Sequence, residues 1–313
     1  MGALSTEHLL NIEDLSIEDI STVLDTARSF KEVNGRTIKK LPTLRGRTVI
    51  NLFLEPSTRT RTSFEIAAKR LSADAINMSA AVSSTVKGES LVDTAQTLDA
   101  MECDLVVIRH RFAGAPQILS QNMRAHVING GDGKHQHPTQ ALLDLFTIRE
   151  RFGHFAGLKV GIVGDIVHSR VFGSLAPALR LLGAHVTAIA PPTLLPARPD
   201  LLGAEISYSL DDVLGDLDVV YMLRIQQERL EQTAFPTLRE YSRQYGINRE
   251  RLTRLQPQAI LMHPGPVNRG VEMTSEAVDA TRNLLLYQVN AGVAVRMALM
   301  FLLLGGDRDG SIA

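Results

Sequence analysis

The chain has 313 residues, 44% of them hydrophobic, with a net charge of −1 and a single cysteine, Cys103. That length exceeds one typical core and predicts two domains, while the interspersed charge argues against nucleic acid or an acidic membrane as partner. A lone cysteine excludes a disulfide framework and a cysteine-based zinc site and suits a reducing compartment. The opening MGALSTEHLL has no basic stretch followed by an apolar core, and the apolar run 297–304 is too short to span a bilayer, so a soluble cytoplasmic protein is expected.

The first helix opens at a capping box, with Ser16 as cap, Asp19 at the third helical position and Leu15 able to staple against Ile20. After a loop at Asn34-Gly35, apolar runs alternate with helical patterns. Thr48 to Leu54 reads as a strand, followed by a helix to about Leu71 and a strand at Ala75 to Met78. A helix from about Ser90 to Met101 leads to a strand at Leu105 to Ile108. A helix near Gly114 to Asn122 precedes Val127 to Asn129, a glycine-rich loop from Gly130 to His137, and a long helix from about Thr139. The pattern restarts beyond Gly157 with Lys159 to Val163, a helix from about Ser169 to Leu182, and His185 to Ala190. A helix near Leu210 to Leu214 follows, and then strand-like runs at Val219 to Leu223, Ala259 to Met262 and Leu284 to Tyr287. The last helix, about Val289 to Leu304, is apolar on most faces and is expected to be buried against the first domain.

Strand–helix alternation of this kind predicts an α/β fold with parallel sheets covered on both faces. The composition break at Arg149 to Gly157 divides residues 1–150, completed by the C-terminal helix 289–313, from residues 151–288. The expectation is two doubly wound parallel-sheet domains with an active-site cleft between them.

Polar clusters fall where these strands end, which is where open α/β sheets bind ligands. Ser57-Thr58-Arg59-Thr60 opens a helix, so hydroxyls and a guanidinium join the unpaired N–H groups and the positive end of the helix dipole. A capped helix with solvated arginines would look the same, and the other clusters decide the matter. Ser83 to Glu89 is a polar loop containing Lys87, and Arg109-His110-Arg111 follows a strand. In Gly131 to Gln140, an imidazole at His137 precedes Pro138 and a helix start with Gln140 in its first turn. His135 and His137 lack a third ligand at metal spacing, so no metal is expected, and a carbonyl or amine is the better target for His137 and Gln140.

Gly161-x-x-Gly164 is not a dinucleotide fingerprint, and Ala190-Pro191-Pro192 stands where a ribose-binding acid would be needed. Arg170 and Arg224 instead follow strands of the second half, and a stiff turn at Pro264-Gly265-Pro266 exposes backbone carbonyls. The first half therefore reads as the holder of a phosphate-like anion and the second as the holder of a carboxylate. With no cysteine nucleophile, Ser-His-Asp arrangement, P-loop or carboxylate metal box, chemistry must come from positioning and oxyanion stabilisation.

In order along nearly the whole chain, STRTRTSFE, Lys87-Gly88-Glu89, Arg109-His110, HPTQALLDLFT, VGD…HSR, YMLRIQQERL and MHPGPVNRG resemble the catalytic chains of the aspartate carbamoyltransferase family, within the aspartate/ornithine carbamoyltransferase superfamily. The resemblance implies transfer of a carbamoyl group from carbamoyl phosphate to the α-amine of L-aspartate in pyrimidine biosynthesis, without metal or cofactor. It implies that Ser57, Thr58, Arg59 and Thr60 hold the phosphate. Thr60, Arg109 and His137 would donate to the carbonyl oxygen, Gln140 would fix the carbamoyl nitrogen, and Gly265 and Pro266 would offer backbone carbonyls. Arg170, Arg224 and Gln226, with Lys87, would bind aspartate.

Ser83 and Lys87 would reach a neighbouring subunit's site, giving a homotrimer with shared sites. Dihydroorotase or a regulatory chain would be the further partners. The resemblance thus makes Arg59, Thr60, Lys87, Arg109 and His137 the catalytic set. Ornithine carbamoyltransferases share the phosphate motif but carry a His-Cys-Leu-Pro turn, where this chain has His263-Pro264-Gly265-Pro266. A non-catalytic structural partner of dihydroorotase should have lost some of these charged residues, and all are present.

Overall fold

Local rules set the first element. In this computed structural model, which describes residues 4–79, 89–198, 201, 203–225 and 237–305, helix α1 (Ile17–Asn34) starts at Ser16. Ser16 Oγ accepts the Asp19 N–H at 3.0 Å, and the Asp19 carboxylate accepts the Ser16 N–H at 3.0 Å, so two orphan donors of the first turn are satisfied reciprocally. The chain packs as two units, Met1–Phe146 with Asn290–Ala313, and Thr147–Val289.

The first unit is built on strands β1 (Thr48–Phe53), β2 (Asp74–Ser79), β3 (Leu105–His110) and β4 (His126–Asp132). Helices α2 (Thr58–Arg70), α3 (Leu91–Ala100) and α4 (Ala115–Gln121) connect them, and α5 (Pro138–Phe152) follows β4. All pairings are parallel and the order is β2-β1-β3-β4. Central strands are apolar on both faces, as a covered parallel sheet requires, with Ile50, Leu52, Val106, Ile108 and Val127 packed with Leu98 and Leu119 in one core. Before α1, Leu9 joins the β4 edge through N–H to the Val127 carbonyl at 2.9 Å and carbonyl to the Asn129 N–H at 2.8 Å.

The second unit carries β5 (Lys159–Val163), α6 (Arg170–Leu181), β6 (His185–Ile189), β7 (Glu205–Ser207), α7 (Leu210–Val213), β8 (Val219–Met222), α8 (Leu238–Tyr245), α9 (Arg249–Arg254), β9 (Ile260–Met262) and α10 (Ser275–Val278). Its sheet is again parallel, in the order β7-β6-β5-β8-β9. The sequence reading omitted β7, α8, α9 and α10, whose periods are too short to register. The caps of α8 and α9 are conventional: Thr237 Oγ1 accepts from Glu240 N–H and Asn248 Oδ1 from Arg251 N–H.

The apolar run Leu284 to Tyr287 is not a strand. It opens helix α11 (Leu285–Leu304), in which Leu286 is 81% exposed. The strand-like signal survives only as one bridge, Leu261 with Asn283, after which Asn283 Oδ1 accepts the Leu285 N–H at 3.0 Å and turns the chain into the helix. By length and a mean hydropathy of 1.5 this helix could cross a bilayer. From Asn290 onward it belongs instead to the first unit. There Phe301 meets Phe30 of α1 edge-on at 5.7 Å, Arg296 lies 5.0 Å over the Phe64 ring of α2, and Gly292 faces Leu143 of α5.

Candidate active site

The strand orders decide where the candidate residues go. In the first unit the chain winds outward from β1 to β2 and then crosses back to β3, so β1 and β3 are neighbours at the point where the winding reverses. Phe53, the last residue of β1, pairs with Arg109. The Ser57–Thr60 turn that follows β1 and Arg109, next to last in β3, therefore stand at the same end of two adjacent strands. Ser57 occupies the N-cap position of α2, but its hydroxyl accepts no bond from the helix. Thr58 and Arg59 are exposed and Thr60 is buried.

Arg109 is held rather than dangling. Its Nη2 donates to Glu55 Oε1 at 2.8 Å and its Nη1 to the Gly130 carbonyl at 3.4 Å. Only 11% of its side chain is exposed, so the guanidinium is largely withdrawn from water with Glu55 as its counter-charge.

His137 arrives from β4 through a loop organised by one buried carboxylate. Asp132, 1% exposed, accepts from Asn129 Nδ2 at 2.9 Å, Gln136 N–H at 3.0 Å and Gly114 N–H at 2.8 Å, and its Oδ2 lies 3.1 Å from His135 Nδ1. The Gln136 side chain is tied to Glu13, its Nε2 donating at 3.0 Å. His137 is thus delivered buried at the start of α5, with Thr139 Oγ1 3.4 Å from its Nδ1. Gln140 sits in the first turn of α5, its N–H on the His137 carbonyl at 2.9 Å and its Nε2 donating to Asp144 at 3.1 Å.

The second unit repeats the logic. Its winding reverses between β5 and β8, whose ends pair Val163 with Met222. Arg170 opens α6 just beyond β5 and Arg224 follows β8, so the two arginines flank one crevice. Arg170 is buried and Arg224 half-buried. Nearby, Asp165 Oδ1 lies 2.8 Å from His168 Nδ1. Beyond β9, the Gly265-Pro266 peptide is cis, and Gly265 has φ +64, a conformation that favours glycine. Its N–H donates to His263 Nδ1 at 2.8 Å.

Glu272 binds the two loops of this unit together. Its side chain is fully buried, and it accepts from Ile225 N–H at 2.8 Å, Asn268 N–H at 2.7 Å and Asn268 Nδ2 at 2.8 Å. Burial pushes this carboxyl above its ordinary value, against the pull of those three donors.

Ser83, Lys87 and Gln226 lie outside the described residues. The other candidates form two groups: Ser57, Thr58, Arg59, Thr60, Arg109, His137 and Gln140 in the first unit, and Arg170, Arg224, Gly265 and Pro266 in the second. Sequence reasoning did not single out Glu55, Asp132, Asp144 or Glu272. Glu55 stood beside the phosphate-type motif, and Asp132 within the glycine-rich one, so position could have flagged them. Nothing in the linear pattern pointed to the carboxylates of Asp144 and Glu272.

Comparison with known proteins gives a consistent result. Residues 7–150 match the family model described as aspartate/ornithine carbamoyltransferase, carbamoyl-P binding domain, and residues 156–303 match that of the Asp/Orn binding domain. The aspartate carbamoyltransferase catalytic subunit of Syntrophotalea carbinolica is 56% identical over 98% of this chain and 98% of its own length. Among solved structures, ornithine carbamoyltransferase from Pyrococcus furiosus superimposes with a TM-score of 0.87 at 29% identity, covering 98% of this chain and 100% of that one. Aspartate transcarbamoylase from Trypanosoma cruzi, in complex with carbamoyl phosphate and aspartate, gives 0.83 at 29% identity over 94% and 95%.

Proposed function

The chain belongs to the aspartate/ornithine carbamoyltransferase family, and from that premise we propose that its first unit receives carbamoyl phosphate and its second L-aspartate. It is a carbamoyltransferase that acts on carbamoyl phosphate and aspartate, giving N-carbamoyl-L-aspartate and phosphate, a step of pyrimidine biosynthesis. The acceptor rests on one observation, 56% identity across 98% of both chains to an aspartate enzyme. The fold alone is shared with an ornithine enzyme.

The residue roles follow as our reading. Ser57, Thr58, Arg59 and Thr60 would seat the phosphate on the N-terminus of α2, where free N–H groups and the dipole favour an anion. Thr60, Arg109 and His137 would donate to the carbonyl oxygen. Gln140 would accept from the carbamoyl nitrogen, while Gly265 and Pro266 would offer carbonyls to amino groups. Arg170 and Arg224, together with Gln226, would take the two carboxylates of aspartate, for which paired arginines are chemically suited. Lys87 would meet both substrates, with Ser83 beside it at the phosphate.

In the reaction the aspartate amine attacks the carbonyl carbon and a C–N bond forms. The oxygen takes up charge that Thr60, Arg109 and His137 stabilise, and the C–O bond to phosphate then breaks. The phosphate leaves with the electron pair and takes the amine proton. Nothing covalent is asked of the protein, so the rate comes from alignment and from donors already aimed at the developing charge.

We further infer a homotrimer in which Ser83 and Lys87 serve a neighbouring subunit, with dihydroorotase or a regulatory chain as additional partners. The cytoplasm suits a chain whose one thiol, Cys103, is buried and pushed up to about 11 by that burial. Sedimentation of the purified chain should give three times the 34.3 kDa monomer, and a monomer would overturn the shared site. The reaction is tested by phosphate release from carbamoyl phosphate. Release that depends on L-aspartate supports the assignment, and release with L-ornithine alone overturns it.

A further inference from the structure

Gln140 is given the task of accepting from the carbamoyl nitrogen, and the inference below rests on that reading. A glutamine amide can face either way. Rotated by half a turn it would turn its own NH2 toward the substrate's NH2, and a donor would meet a donor. Something must hold it in one sense.

Asp144 stands one helical turn further along α5 and is 0% exposed. Its two oxygens accept from Gln140 Nε2 at 3.1 and 3.4 Å. An ionised carboxylate can only accept, so the end of the amide that faces it must be the nitrogen. The amide oxygen is then the end not committed to Asp144.

A buried carboxylate keeps its charge only with a compensating cation nearby. Arg296 of α11 supplies it: burial draws its guanidinium down to about 10, and the charge of Asp144 works in the opposite direction. Gly292, one turn earlier on α11, leaves the room this needs. A Cβ there would stand 2.5 Å from Arg296 Nη1 and 3.1 Å from Leu143 Cδ2. The same guanidinium covers the Phe64 ring of α2, the helix whose first turn holds Ser57 to Thr60.

We propose that Asp144, backed by Arg296, is a positioning residue that locks the Gln140 amide with its oxygen toward the carbamoyl nitrogen, and so makes the site select a carbamoyl over an acetyl donor. Carbamoyl and acetyl phosphate differ by an NH2 in place of a CH3, so only the first can donate to that oxygen. In Asp144→Asn the partner amide can donate as well as accept, and the orientation of Gln140 is no longer dictated.

The test measures kcat/KM for carbamoyl phosphate and the competition of acetyl phosphate against it, in wild type, Asp144→Asn, Gln140→Ala and the double variant. The expected result is a loss on the order of 10-fold or more for carbamoyl phosphate in Asp144→Asn, with acetyl phosphate affinity unchanged. No further loss is expected when Asp144→Asn is added to Gln140→Ala. Asp144→Glu should restore the preference. An equal loss for both donors, or an undiminished loss in the Gln140→Ala background, overturns the positioning role. Wild-type kinetics in Gln140→Ala overturn the reading of Gln140 itself, and the proposal with it. Should Asp144→Asn not fold, Asp144→Ser carries the same expectation.

Discussion

His137 and Arg224 show how differently two polar side chains are used. His137 is buried, at the end of a loop that Asp132 ties in four places, so its ring is aimed before any ligand arrives. Loss of such a donor is expected to lower kcat by roughly 10²–10³. His137→Ala assayed at saturating substrate checks this, and wild-type turnover would remove it from the oxyanion set. Arg224 adjoins Ile225, whose N–H is held by Glu272. Arg224→Ala should raise the KM for aspartate by about 10- to 100-fold and leave that for carbamoyl phosphate unchanged, as loss of a charged hydrogen bond implies. An effect confined to carbamoyl phosphate would exchange the roles of the two units.

The caps of α1 and the interior of α11 carry opposite lessons about elements. Burial alone would raise the Asp19 carboxyl, but bonds from the Ser5 and Ser16 side chains and their N–H groups prevail and bring it from 3.8 to about 2. A depressed carboxylate contributes its stability above the unfolded value and loses it as pH falls from 3.8 toward 2. Asp19→Asn should therefore cost about 2 kcal/mol at neutral pH. Denaturant midpoints of wild type and variant should converge in that acid window, and a gap constant with pH would reject the account.

Gly292 breaks a propensity rule. Alanine at a helix interior normally gains up to ~1 kcal/mol over glycine. Here the added methyl would crowd a buried guanidinium at 2.5 Å, and overpacking of that kind costs about 1–3 kcal/mol. The second effect wins, so Gly292→Ala should lower the unfolding midpoint. A rise would mean that Arg296 moves aside freely.

At the scale of the whole molecule, each unit carries its own reversal of winding and its own group of residues proposed to bind an anion, so the two groups should respond separately. Inorganic phosphate titrated into the chain by calorimetry should bind roughly 10- to 100-fold more weakly to Arg59→Ala and equally well to Arg224→Ala. Equal weakening in both would contradict that independence. Most strands and long helices could be read from the order of apolar runs and helical periods, because the central strands of both sheets are buried and the longer helices run over several turns. The run Leu284 to Tyr287 was misread because a short apolar stretch has no period of its own, and Asn283, by capping Leu285, decided for helix. The elements β7 and α7 to α10 are only three to eight residues long, too short for a period to stand out, and of these only α7 was anticipated.

The chain's residues alone were enough to specify alternation, parallel sheets and which polar clusters follow the strands, since these depend on side-chain period and on residue order. They did not specify strand order. Ser57 to Thr60 and Arg109 become neighbours because β3 returns beside β1, and Arg170 and Arg224 because β8 returns beside β5. The supporting carboxylates followed the same rule. Glu55, Asp132, Asp144 and Glu272 take their roles from what folding sets within hydrogen-bond reach, and the last three are buried, where an acidic side chain persists only with its donors in place.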